Sequence, residues 1–116
     1  MAYRVFEVPE YYEFLDVLGV APETIEGEEA QRLKFQISDE LLTVTFDIPG
    51  RSLYCEWSRG PRVLVEIFRE GAVQLRVRSA GPAQFIRIEF ETDTERGQLE
   101  IQTSPVFTLR DSLVLR

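Results

Sequence analysis

Catalysis at neutral pH usually begins with histidine, and this 116-residue chain has none. That removes the commonest general base, the commonest metal ligand and the usual activator of a nucleophile. The single thiol, Cys55, lies beside Trp57 in an alternating apolar run. Its expected place is an inward strand position. A buried thiol makes a poor nucleophile, which needs an exposed, electropositive site. Carboxylates are more plentiful. Glu89, Glu91 and Glu100 are spaced to share one face of neighbouring strands, the raw material of a two-carboxylate hydrolase. Such a pair needs one acid in an apolar cleft to hold its proton. Arg76 and Arg87 fall on the same face, so cross-strand ion pairs in solvent are expected instead. Asp39-Glu40 and Asp93-Thr94-Glu95 lack the ligand spacing of a calcium loop. The glycines are scattered and form no phosphate loop. No catalytic residue, cofactor or metal site is expected.

Charge carries more information. Residues 1–31 hold eight acids (Glu7, Glu10, Glu13, Asp16, Glu23, Glu26, Glu28 and Glu29) against Arg4 alone. The remaining chain balances twelve acids with twelve bases, so the net charge of -7 sits in the first quarter. Such a segment is either a handle for a basic partner or a solubility device. Arg59, Arg62, Arg69, Arg76 and Arg78, with Tyr54 and Phe68 near them, have the composition of a nucleic-acid platform. The acidic balance opposes that reading, and no nucleic-acid partner is expected.

Length, hydropathy and cysteine count bound the architecture. The chain is long enough for one domain with a real core, residues 1–116. It shows no apolar run of membrane-spanning length and no signal-peptide pattern, so neither membrane nor export is expected. One cysteine rules out an internal disulfide and suits the cytoplasm.

The elements that must position these residues follow from periodicity. Pro9 to Leu18 reads as a helix with one apolar stripe, Tyr11, Phe14, Leu15 and Leu18, and Gly19 as its stop. Residues 20–30 read as an acidic loop. From Arg32 the period becomes two, and seven strand candidates follow, ending with Leu99 and Ile101. Residues 105–116 form one bent strand or two short ones, breaking at Asp111-Ser112.

Opposed residues of an antiparallel hairpin share a face, so apolar parity fixes whether each loop is odd or even. The expected pairs are Ile37 with Leu42, Ile48 with Leu53, Trp57 with Val63, Ile67 with Val73, and Val77 with Ile86. Gly71 then closes a three-residue turn, Arg69-Glu70-Gly71, with positive φ. Seven strands about 4.8 Å apart span roughly 29 Å, while the helix is only about 15 Å long. The sheet must therefore curl. The expected fold is α+β, mostly β: one N-terminal helix, then a seven- to eight-stranded antiparallel meander curled into a barrel or half-barrel.

Two surfaces stand out as partner sites. One is the acidic set Glu10, Glu13, Asp16, Glu23, Glu26, Glu28 and Glu29. The other is an outward apolar group, Tyr54, Leu64 and Phe68, with Glu66 placed opposite Tyr54. The leading expectation is a non-enzymatic protein-binding module meeting a basic partner through its acidic segment. Small, acidic, motif-free bacterial domains include many immunity proteins, and the expectation takes that form by association. The outer patch also permits a homodimer. The alternative is a small-molecule carrier, its barrel lined by Phe35, Phe46, Trp57 and Phe90.

Overall fold

The computed structural model describes residues 4–115, which form one short helix and nine strands in two antiparallel sheets. Helix α1 covers Tyr11–Leu18. Strands β1 (Glu23–Thr24), β2 (Gln31–Ile37), β3 (Glu40–Asp47), β4 (Ser52–Arg59) and β5 (Arg62–Glu70) make the first sheet in that order. Strands β6 (Ala72–Ala80), β7 (Ala83–Glu91), β8 (Glu95–Ser104) and β9 (Thr108–Leu115) make the second. The meander is as expected. The single curled sheet is not: β5 and β6 belong to different sheets. No helix among the described residues is long and apolar enough to cross a membrane.

The division falls at Gly71. Its φ is +87°, as the turn chemistry required, but the expected Ile67–Val73 hairpin does not form. The Gly71 and Ala72 amides donate to Arg51 O, and Gly71 O accepts from the Glu91 amide. The backbone groups that a hairpin would have paired are thus given to the β3–β4 turn and to the end of β7. Strands that switch sheets do so at such bends. The chain turns a corner here.

Parity survived where loop lengths did not. Ile37 pairs with Glu40 across a two-residue turn whose Ser38 has φ 56°, instead of with Leu42. Phe46, not Ile48, opposes Leu53. Between β4 and β5 the turn is Gly60-Pro61, shorter than the expected three residues. Trp57 opposes Val65, Ser58 opposes Val63, and Leu64 is the extra residue between them. The odd residue that parity demands sits in a β-bulge rather than in the turn. Val77 opposes Ile86 as expected. The tail is one strand, β9, with no break at Asp111, and Arg116 lies outside the described residues.

Inward residues of both sheets fuse into one core with Phe6, Phe14 and Leu18. The α1 stripe is narrower than expected. Phe14 and Leu18 are buried, whereas Tyr11 and Leu15 face solvent at 62% and 48% exposure. The helix meets β6 and β7 and stacks Phe14 on Phe46 of β3, a line of contact too slim to cover four side chains. It begins at Tyr11, because Glu10 is extended (ψ 156°), and ends where Gly19 enters the left-handed region. Ahead of it, Glu7 bridges β6: its amide donates to Val73 O and its carbonyl accepts from the Leu75 amide.

Cys55 is fully buried, and desolvation pushes its thiol up to about 12. Trp57 is only half-buried, contrary to expectation; its indole N–H donates to Glu40 Oε1 at 2.7 Å, a bond that holds the ring near the surface. Below pH 9 both folded and unfolded thiols hold their protons. Above it the unfolded thiol ionises while the native one does not, so stability should fall from about pH 9 toward 12. Cys55→Val is expected to flatten that fall in urea melts, and native Cys55 should resist thiol reagents. Rapid labelling of the native protein would break the register of β4, since a one-residue slip reverses every side chain.

Candidate functional site

Two surfaces assemble from the residues that the sequence singled out. The first begins at α1. Successive helix residues turn by about 100°, so burying Phe14 and Leu18 sends Tyr12 and Asp16 to the opposite side. Tyr11 and Leu15 flank them on one side and Glu13 on the other. Tyr11 and Leu15 are four residues apart, as are Tyr12 and Asp16, so each pair is adjacent on the helix surface. The result is an exposed face of two tyrosines and a leucine edged by Glu10, Glu13 and Asp16. Glu13 also lines a shallow hollow of about 320 Å³ against β6, which Arg76 lines as well.

The remaining acids lie on the β1–β2 hairpin, which replaces the expected plain loop. Thr24 pairs with Gln31, and Glu26, Glu28 and Glu29 stand exposed in the turn between them. Glu23 is different: it approaches Arg32 at 3.7 Å and Lys34 at 3.8 Å. Its charge is already engaged. Glu10, Glu13, Asp16, Glu26, Glu28 and Glu29 form no ion pair among the described residues. The sequence marked these acids but placed Tyr11 and Leu15 in the core, because a regular apolar stripe on a helix looks like core wherever the covering surface is narrow; Tyr12, off that stripe, carried no signal of its own.

The second surface is the outer face of β4 and β5. Tyr54 opposes Phe68 directly, and Glu66 opposes Glu56, not Tyr54 as the unbulged register implied. The Tyr54 hydroxyl donates to Glu56 Oε2 at 2.8 Å, and this bond is the main reason its pKa stands above an ordinary tyrosine's. Phe68 is 63% exposed, Leu64 39% and Val63 51%. Val63 was expected inside; the bulge turns it out. Leu64 and Phe68 are exposed and Tyr54 is half-buried, and two opposed carboxylates, Glu56 and Glu66, lie between them.

Other candidates resolve into structure. Arg87 reaches Glu89 at 3.9 Å and Gln98 at 2.6 Å, and Arg78 reaches Glu100 at 3.8 Å, so the outward carboxylates of the second sheet are laced with ion pairs. No group of acids, cysteines or histidines that could hold a metal ion occurs among the described residues. Phe46, proposed to line a carrier cavity, is stacked on Phe14 (5.7 Å) and met edge-on by Phe6 (6.5 Å). With Phe35 and Phe90 buried in the same cluster, three of the four side chains offered as a lining belong to the core, and the fourth, Trp57, packs half-buried against it. Arg69 points inward from β5, grips Asp111 of β9 through two 2.6 Å bonds, and lies 5.0 Å from the Phe90 ring centre.

No protein-family model matches this sequence, and no curated protein does. The fold has a counterpart among solved structures. A chain of the contact-dependent growth inhibition toxin–immunity protein complex from Klebsiella pneumoniae 342 superposes with a TM-score of 0.83. The match covers 97% of this chain and 100% of that one at 14% identity, a likeness of fold.

Proposed function

We propose that this chain is a non-enzymatic inhibitor of the immunity type, which binds a basic protein toxin and holds it inactive. The observation that carries the reading is the end-to-end likeness in fold to a chain from a toxin–immunity complex. Of the two roles in such a complex, the inhibitor suits this chain better. It needs a complementary surface and no chemistry, and this sequence has no histidine and a buried thiol. The unpaired acids of α1 and the β1–β2 hairpin supply charge for a basic partner, and exposed Tyr11 and Tyr12 supply the aromatic area that binding hot spots favour. The single buried thiol is compatible with a cytoplasmic protein.

The test is co-expression with a toxin-type protein encoded beside this chain's gene, with growth rescue as the readout and association rates on the purified pair. Reversing Glu10, Glu13 and Asp16 together should slow association several-fold at about 0.01 M salt, where the Debye length is about 30 Å, and far less at about 0.1 M. Glu23 is left out because its reversal would disturb Arg32 and Lys34. Rescue with rates that ignore both reversal and salt would confine these acids to solubility. Absence of rescue would remove the immunity reading.

A further inference from the structure

We infer that the exposed face of α1 is built to receive arginine side chains of a protein partner, in preference to lysine. The inference rests on the reading that this face meets a basic protein, and adds what it recognises there.

The chain itself shows what a complete arginine site contains. The Arg69 guanidinium is held by both carboxylate oxygens of Asp111 at 2.6 Å and lies 5.0 Å from the Phe90 ring centre. Carboxylate and ring act on different parts of the guanidinium: in-plane N–H donors meet the carboxylate fork, and the flat face meets the ring. Arg78 uses the same pairing more loosely, 4.5 Å from the Phe85 ring centre and 3.8 Å from Glu100.

On α1 the ring and the carboxylate are present and the cation is not. Tyr12 and Asp16 lie one helical turn apart on the solvent side, Glu13 lies three residues before Asp16, and Glu10 stands just ahead of the helix. Tyr11 is 62% and Tyr12 61% exposed, and neither ring meets another aromatic or a guanidinium among the described residues. The acids make no ion pair there. Three carboxylates in this short stretch attract any cation. The rings choose between cations, because a guanidinium is planar and weakly hydrated whereas an ammonium is compact and holds its water. Leu15, 48% exposed, gives the arginine stem an apolar surface to lie on.

The probes are hexa-arginine and hexa-lysine peptides, titrated into the full chain at low salt by calorimetry. Hexa-arginine should bind about five- to tenfold more tightly. Tyr11→Ala/Tyr12→Ala should bring the two peptides within about twofold of each other, whereas Tyr11→Phe/Tyr12→Phe should keep the preference, since the rings carry it. Asp16→Asn should weaken both peptides alike. All three substituted positions are exposed, so circular dichroism should show the fold unchanged. Equal binding of the two peptides would overturn the inference, and so would a preference that survives loss of both rings. Tyrosine-dependent self-association without peptide would make the occupant a second copy and overturn it too. Growth rescue by the chain would stand in each of these cases, so failure here differs from failure of the immunity reading.

Discussion

Phe14→Ala should destabilise the protein by about 3–5 kcal/mol, the range for truncating a buried aromatic. The ring is 1% exposed and stacks on Phe46 at 5.7 Å with an 18° interplanar angle. Its loss removes both transfer free energy and a stacking contact, and leaves a void that two flanking sheets cannot readily close. Tyr12→Ala, two residues earlier, removes as large a ring from solvent and should change stability by no more than about 0.5 kcal/mol. Urea denaturation of the two variants measures the contrast. A cost below about 1 kcal/mol for Phe14→Ala would mean that α1 does not anchor to the core as described. Since α1 carries Glu13, Asp16 and both tyrosines, with Glu10 just ahead of it, Phe14→Ala should also weaken binding through the proposed face without altering the side chains that form it.

Gly71→Ala should cost about 2–3 kcal/mol, a large effect for one methyl group. Two causes add. A residue with a side chain resists φ of +87°, and an added Cβ would stand 2.8 Å from Thr92 Cγ2 and 3.4 Å from Glu91 O. Thr92→Ser removes the first obstacle while keeping the hydroxyl that accepts from the Glu95 amide. The double variant should therefore recover part of the loss and keep the conformational part. Gly81 provides the comparison: its φ is +61° with open space around it, so Gly81→Ala should cost only about 1 kcal/mol. Equal midpoints for the Gly71 and Gly81 variants would show that the corner between the sheets imposes no steric demand.

The sequence made the meander legible because alternation is a local signal. Leu42, Val44 and Phe46, or Ile86, Ile88 and Phe90, announce their face without reference to a neighbour. Register was less legible. Shifting a pairing by two residues preserves parity, so Ile37 could be matched to Leu42 when its partner is Glu40. A bulge at Leu64 and a longer turn satisfy the same parity rule, so the rule could not choose between them. The corner at Gly71 was hidden for a different reason: a left-handed glycine serves a tight hairpin and a sheet-to-sheet bend equally well. At the candidate site the acids were plain from composition. The exposure of Tyr11 and Leu15 was not, because it depends on how much of α1 the sheets cover, a property of packing rather than of the helix.

The N-terminal arm also has a history during synthesis. Arg4 donates to Glu91 O across a separation of 87 residues, and Glu7 is seated on β6. A ribosome adding about 5–20 residues per second needs roughly 4–17 s to make the far partner of the first contact. For that interval Phe6, Phe14 and Leu18, all buried in the finished protein, have no complete core to enter. Glu7, Glu10, Glu13 and Asp16 are interleaved with them in the chain. Charges set among apolar residues are the usual guard against premature association of nascent segments. The carboxylates proposed to meet a partner in the folded molecule would thus first protect this apolar stretch from its own kind, and their neutralisation should lower soluble yield before it lowers any affinity.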